Sequence, residues 1–363
     1  MNGIYIHIPF CKSRCLYCDF YSTTLLELRG KYVDALLQEW QTTPCVDIAD
    51  SVSTVYVGGG TPSQLEIDDL RRLMQPILQV AQVDAEITIE VNPGDMTEKY
   101  AKGLREIGFN RLSMGVQSFH DSLLTTIGRR HNSQQAQHAI RIAQEAGFNN
   151  KSIDLMYGLP GQTLAMLKDD IATALKSDIQ HISTYCLSYE DGTPLTRLRD
   201  QGQVQEQDDE TLNEMYDTLC EILEENGWEH YEVSNFTKDN HASQHNSSYW
   251  TSVPYIGLGA GAHSFDGKKR WWNKPDIEAY IQGAAQLMFP REEEILSAEQ
   301  QREEAIMLGL RTSEGVKKKW VKGKEKEVEK WIASGHLRYT ESGNIAATQQ
   351  GWHLLNTIIV DVL

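Results

Sequence analysis

With 363 residues, 40% of them hydrophobic and 23% charged, the chain has the composition of an ordinary globular protein and length enough for two or three domains. A formal net charge of −17 argues against a nucleic-acid partner, because phosphate binding needs a basic face. No apolar run approaches the roughly 20 residues that cross a bilayer, and Met1-Asn2-Gly3-Ile4 leads into no signal-like segment. The expectation is therefore no transmembrane segment, no secretory signal, and a reducing, cytoplasmic setting in which thiols stay free.

The first apolar run, residues 4–8, reads as a strand ended by Pro9, which cannot donate to a sheet ladder. Further β-branched runs follow at 52–57, 86–91, 111–116, 152–157 and 181–187. Between them Leu28, Tyr32, Val33, Leu36, Leu37 and Trp40 recur at helical spacing. Leu70, Leu73, Met74, Ile77 and Leu78 do the same, as do Leu164, Leu167, Ile171 and Leu175. Such alternation builds parallel βα units with right-handed crossovers. Six units are too few for a closed eight-stranded barrel. The prediction is an α/β fold, an open, TIM-like partial (β/α)6 barrel over residues 1–190, with functional residues at the carboxyl ends of its strands.

Past about residue 189 the rhythm changes. Residues 208–226 form a helix stopped by Asn226-Gly227, and 228–272 read as irregular, so 191–287 is expected to extend the barrel. Residues 288–363 are expected to form a small mixed C-terminal domain resembling a winged helix. Its parts are helices near 303–310 and 325–334, a hairpin over 337–346 turning at Ser342-Gly343-Asn344, and a last helix to Leu363. Lys317-Lys318-Lys319 and the lysines through Lys330, interleaved with Glu325, Glu327 and Glu329, read as a solvated helix face rather than a binding stripe.

Cys11, Cys15 and Cys18 are spaced C-x₃-C-x₂-C directly after the first strand, beside apolar Phe10, Leu16 and Phe20. Three thiolates suit a cubane iron–sulfur cluster with one iron left open. A structural zinc site would want a fourth ligand, and the obvious one, Cys45, lies 27 residues past Cys18 without a C-x₂-C of its own. A disulfide scaffold suits a short secreted chain better than six cysteines in 363 residues. Cys45, Cys186 and Cys220 read as buried small apolar residues.

Several unusual residues fall at the other strand ends. Gly58-Gly59-Gly60-Thr61-Pro62 allows a tight turn or the close approach of a ligand, yet lacks the spacing of a dinucleotide fingerprint or a P-loop. Glu90, between apolar strand residues, needs a partner, either an ion pair with a neighbouring strand or a ligand. Gln117 offers both donors and an acceptor; Arg129, in Gly128-Arg129-Arg130-His131, is a carboxylate-binding fork or a helix-end cation. Asp154 makes a strand-to-strand hydrogen bond or touches a ligand, and Tyr5 belongs to the core or to the same pocket.

The cysteine spacing after a first strand resembles the signature of the radical S-adenosylmethionine (radical SAM) superfamily. The segments Gly58-Gly59-Gly60-Thr61-Pro62 and Met114-Gly115-Val116-Gln117-Ser118 match further segments of that family. The resemblance implies a [4Fe–4S] cluster held by Cys11, Cys15 and Cys18, with the amino and carboxylate groups of SAM on the open iron. It further implies Gly59, Gly60 and Thr61 around the amino group, and Glu90 as acceptor for ribose hydroxyls or counter-charge to the sulfonium. Gln117, Arg129 at the SAM carboxylate, Asp154 at the nucleoside and Tyr5 would complete the pocket.

Together these segments resemble the oxygen-independent coproporphyrinogen III dehydrogenase group, and three features resemble its sister branch, the heme chaperone HemW. Phe20 stands where the dehydrogenase has a further cysteine, and only a short segment precedes Tyr5. His245-Asn246-Ser247-Ser248-Tyr249-Trp250 fits the H-N-x-x-Y-W motif associated with heme binding. That branch implies heme as a further bound group and heme-acceptor proteins as partners. His245 would be an axial ligand, Tyr249 and Trp250 would lie along the macrocycle, and Lys268, Lys269 and Arg270 would stand near the propionates. Three alternatives remain open: SAM-dependent oxidative decarboxylation of coproporphyrinogen III, a zinc-stabilised binding module without redox chemistry, and His245 and Asn246 serving only to tie down a loop.

Overall fold

The computed structural model describes residues 3–43 and 52–363. Six strands, β1 (Gly3–Ile8), β2 (Val52–Gly59), β3 (Ala81–Val91), β4 (Arg111–Gln117), β5 (Asn150–Tyr157) and β6 (His181–Cys186), lie parallel and side by side in chain order. The crossovers carry α1 (Arg29–Thr42), α2 (Ile67–Leu78), α3 (Glu98–Ile107), α4 (Asp121–Thr126) with α5 (Ser133–Glu145), and α6 (Leu164–Leu175). All six expected strands are present.

The pleat sorts the side chains. Ile4, Ile6 and Ile8 of β1 and Val55 and Val57 of β2 are fully buried in one core with Tyr32, Val33 and Leu36 of α1 and Leu70, Leu73 and Met74 of α2. The intervening Tyr5, His7, Tyr56, Glu90, Ser113 and Asp154 take the opposite, polar face, because successive strand residues alternate sides. That inner face is where chemistry can be housed.

The rest of the chain lengthens the sheet on both edges. After α7 (Pro194–Asp200) and α8 (Asp209–Glu225), β7 (Glu229–Glu232) and β8 (Asn235–Thr237) add to the β6 edge, β8 antiparallel to β6. The chain then crosses through α9 (Gln244–Trp250) to β9 (Tyr255–Leu258), which pairs parallel to β1, and continues into β10 (His263–Phe265), β11 (Lys269–Asn273), α10 (Ile277–Ala284) and β12 (Arg291–Ile295). The result is one open twelve-stranded sheet, ordered β12-β11-β10-β9-β1-β2-β3-β4-β5-β6-β8-β7.

Residues 228–272 are thus not irregular: they hold five strands and a helix. Strands of three to five residues are too short to show a period, and glycine interrupts them for packing reasons. A Cβ at Gly257 would lie 2.0 Å from the His263 carbonyl oxygen of the neighbouring strand. Glu39 of α1, fully buried, clamps this wing to the rest. Its carboxylate accepts from the Gly259 amide and the Asn273 amide group, both at 2.8 Å, and from Tyr280 and Arg291.

A second core, including Ile306, Leu310, Val316, Val328, Leu337, Ile345 and Ile358, gathers the C-terminal elements. These are α11 (Ala298–Gly309), α12 (Glu325–Ala333), the hairpin β13 (Leu337–Tyr339) and β14 (Ile345–Ala347), α13 (Gln349–His353) and α14 (Leu355–Val362). Of the cysteines expected to be buried, Cys220 in α8 is, whereas Cys186 is exposed at the end of β6; Cys45 lies outside the described residues.

Candidate functional site

The cysteine loop leaves β1 at Pro9 and is held at three points. The Thr23 amide donates to the Pro9 carbonyl at 2.7 Å and the Cys11 amide to the Thr23 carbonyl at 2.9 Å, closing the loop on itself. Midway, the Leu16 amide donates to Ile127 O (3.1 Å), while Leu16 O accepts from the Leu195 amide (2.9 Å). The three thiols are therefore positioned by α4 and α7 as well as by their own sequence. Cys11 Sγ lies 3.4 Å from Thr61 Oγ1, and Arg129 Nη1 donates to Cys15 Sγ at 3.3 Å. Burial pushes the Cys11 thiol up and that of Cys18 to about 11. Thiolate ligands there need a positive partner, which a bound metal centre provides.

The glycine run at the end of β2 packs under this loop. A Cβ on Gly60 would lie 2.9 Å from the Pro9 carbonyl carbon, and the Gly60 amide donates to Ile8 O at 2.9 Å. Gly59 has φ +113°, and a Cβ there would meet the His7 ring at 2.6 Å. Glycine is needed at both positions for the strand end and the cysteine loop to touch.

Glu90 ends the inner face of β3. Tyr56 Oη donates to Oε1 at 2.8 Å and the Gly59 amide to Oε2 at 3.1 Å, yet burial still raises its carboxyl to about 7. Burial likewise raises Asp154 to about 6, against Ser183, Arg111 and Arg129; Ser113 Oγ is 3.4 Å away. Gln117, φ +68°, sits at a register shift between β4 and β5, with Oε1 buried and lacking a partner among the described residues. Arg129 also donates to the Gly115 carbonyl, leaving its buried Nε without a partner among them.

These side chains surround one cavity. Cys11, Cys15, Cys18, Gly59, Gly60, Thr61, Glu90, Gln117, Arg129 and Asp154 all line it, and Phe20, 67% exposed, stands among its walls. Its atom-free space, counting the open mouth, is about 840 Å³. Ser113 and Asn92 line it too and were not singled out from sequence. Ser113 could have been, since a period-two reading back from Gly115 along β4 puts it on the same face. Three soft thiols beside orphaned polar atoms of Gln117 and Arg129 fit a cluster with a polar ligand next to it. Among the described residues no three His, Cys, Asp or Glu side chains converge as a site for a single metal ion.

Tyr5 is not among the residues lining the cavity. Its ring stacks on Tyr56 and His245, with centroids 6.2 and 6.4 Å apart, and its hydroxyl lies 3.0 Å from His7 Nδ1. The position of Tyr5 in the middle of β1, rather than at the strand end, keeps it inside this aromatic stack.

His245 is placed differently from the expectation that it caps a heme iron. The side chain is 1% exposed, Nδ1 is bonded to Thr54 Oγ1 and Nε2 to Tyr249 Oη, each at 2.8 Å, and burial lowers its pKa to about 3. Axial ligation needs a free, reachable ring nitrogen, and neither is free in this arrangement. The start of α9 is anchored as well, because buried Glu86 accepts from the Gln244 and His245 amides at 3.1 Å. Of the expected propionate cations, Lys269 pairs with Glu293 (2.8 Å) and Arg270 with Glu304 (2.8 and 3.1 Å), so both are already engaged.

The family model of the radical SAM superfamily matches residues 5–174. The heme chaperone HemW of Bacillus subtilis is 40% identical, the match covering 88% of this chain and 86% of that protein. HemW of Lactococcus lactis is 35% identical over 98% of this chain and 96% of its own. Among solved structures, the radical SAM enzyme coproporphyrinogen III oxidase (HemN) of Escherichia coli has the same fold. Its TM-score is 0.83 at 22% identity, with 99% of this chain and 89% of that one covered. Among the described residues no helix is long and apolar enough to cross a membrane. The chain belongs to the radical SAM superfamily and, within it, to the family of the heme chaperone HemW.

Proposed function

We propose that this protein binds a [4Fe–4S] cluster through Cys11, Cys15 and Cys18, binds SAM beside it, and carries heme to acceptor proteins. The observation that carries the cluster–SAM half is the convergence of the three thiols with Gly59, Gly60, Thr61, Glu90, Gln117, Arg129 and Asp154 on one cavity. The heme half is supported by the 40% and 35% identity to heme chaperones along nearly the whole chain. In this reading the thiols hold three irons and the glycine turn leaves room for the SAM amino group. The Arg129 fork stands by the carboxylate, and Glu90 faces the cationic sulfonium. A reduced cluster of this kind supplies an electron to a bound sulfonium.

The division of labour we favour gives residues 1–190 the cluster and SAM, 191–287 the sheet extension, and 288–363 a separate C-terminal unit. Thiols that must stay reduced until iron arrives favour a cytoplasmic setting. The test is an anaerobic preparation, reconstituted and assayed for iron, sulfide, SAM binding and heme binding. Four irons and four sulfides per chain, bound SAM, and heme that moves to an apo-hemoprotein are expected. Zinc without sulfide would remove the reading, and decarboxylation of coproporphyrinogen III would replace its heme half with the dehydrogenase.

A further inference from the structure

A second cleft opens where the end of α9 and the β10–β11 turn face the C-terminal elements. Trp250 and Phe265 line it together with Glu304 of α11 and with Lys317, Lys319 and Trp320, and its atom-free space, counting its mouth, is about 950 Å³. The half-buried indoles of Trp250 and Trp320 offer flat apolar surface, while Phe265 is 5% exposed. The Trp250 indole Nε1 is buried and has no hydrogen-bond partner among the described residues, a cost that a bound acceptor would relieve. Glu304 is neutralised by the two-pronged contact with Arg270. Lys317 and Lys319 are exposed and in no ion pair among the described residues, and the Lys319 ammonium lies 4.5 Å from the Trp320 ring centroid.

In a chain of net charge −17, the charges left free in this cleft are therefore two cations set beside aromatic faces. A ligand that answers all of these features has a flat apolar body, carboxylates and a hydrogen-bond acceptor. No histidine, cysteine or methionine lines the cleft among the described residues. We propose that this cleft is the seat of the carried heme, held by its propionates at Lys317 and Lys319 and by the faces of Trp250 and Trp320, without an axial ligand from His245. The proposal rests on the heme-carrying reading above and gives it a site. It also gives Lys317-Lys318-Lys319 a role other than a solvated face.

The full-length protein is titrated with hemin, with metal-free protoporphyrin IX and with protoporphyrin IX dimethyl ester, followed by Soret absorbance and porphyrin fluorescence. Hemin and protoporphyrin IX are expected to bind within about threefold of each other, and the ester about tenfold or more weaker. Lys317→Gln/Lys319→Gln, at two exposed positions that leave the fold alone, is expected to weaken both acids by about tenfold and leave the ester unchanged. Trp250→Phe, which keeps a ring and removes the donor, weakens all three, whereas His245→Gln stays within about threefold for hemin. If the wild type binds hemin and the double lysine variant binds it equally well, the site lies elsewhere; this inference falls and the functional reading stands. If hemin binds while the metal-free acid does not, an axial ligand carries the binding and the inference likewise falls. A wild type that binds no hemin ends both.

Discussion

Glu90 stands between two demands: Tyr56 and the Gly59 amide favour its charge, and burial opposes it, so that its carboxyl is raised to about 7. A cationic sulfonium in the cavity would tip the balance toward the carboxylate, because an opposite charge favours the ionised form. The sign follows. Where the free protein holds Glu90 protonated, ligand binding must expel that proton, so SAM affinity is expected to rise as pH climbs from about 6 to 8 and then level. Glu90→Gln should flatten that rise at the lower, acid-side affinity, leaving only a weaker dependence centred near Asp154, whose carboxyl is at about 6. Equilibrium binding of SAM to the reconstituted protein across that range is the measurement, and an unchanged slope in the variant would separate Glu90 from the ligand. Gly60 is tested more simply. Gly60→Ala sets a methyl 2.9 Å from the Pro9 backbone, an overpacking of roughly 1–3 kcal/mol. Iron retention should fall toward that of Cys18→Ser while the melting temperature moves by only a few degrees.

At the scale of elements, α9 is wedged against the parallel sheet by His245. His245 lies against Tyr56 at 5.2 Å between centroids and joins the hydroxyls of Thr54 and Tyr249, while Glu86 caps the helix start. His245→Ala leaves a void and removes the hydrogen bonds of His245 to the Thr54 and Tyr249 hydroxyls, and the expected loss of stability is roughly 2–4 kcal/mol in urea unfolding. A variant as stable as the parent but unable to take up heme would instead mark His245 as a ligand. This wedge also explains what could and could not be read in the sequence. The six parallel strands were legible because each is at least six residues long and its apolar side chains are spaced by its own pleat. The residues at their carboxyl ends were legible for the same reason, since topology alone delivers them to one rim. The partners of His245 were not: Thr54 and Tyr56 lie about 190 residues away in β2, and no local pattern carries that pairing. Of the two places open to Tyr5, core or pocket, the sequence could not choose, because its distance from Cys11 along the chain says nothing of its place in the stack. The short strands β7–β11 escaped because three to five residues show no period.

For the whole molecule the question is what joins the β9–β12 wing to the parallel sheet on the side where the chain returns to β1. The β1–β9 ladder spans only four residue pairs, so side-chain contacts must carry part of the load. Glu39 concentrates them. One buried carboxylate in α1 receives donors from Gly259 just past β9, from β11 and α10, and from Arg291 at the start of β12, so that four points of the wing share a single acceptor group. Removing it strands the Gly259 amide and the Tyr280 hydroxyl, takes one of two acceptors from the Asn273 amide group, which still donates to the Gly259 carbonyl, and leaves the 37% exposed Arg291 side chain without its carboxylate. Because water screens the Arg291 end, the cost comes mainly from the stranded buried donors, roughly 2–3 kcal/mol. Glu39→Gln keeps one acceptor oxygen and should lose less, roughly 1–2 kcal/mol. The wing should loosen before the parallel strands do. In hydrogen exchange, Glu39→Ala is expected to lose protection first over residues 255–295, with β2–β5 still slow. If protection falls evenly along the sheet, the wing is held mainly by its backbone ladder and apolar packing, and Glu39 is one contact among many. If it falls in the wing alone, a single side chain keeps the two halves of the sheet in register, and with them the wall that carries Phe265 beside the second cleft.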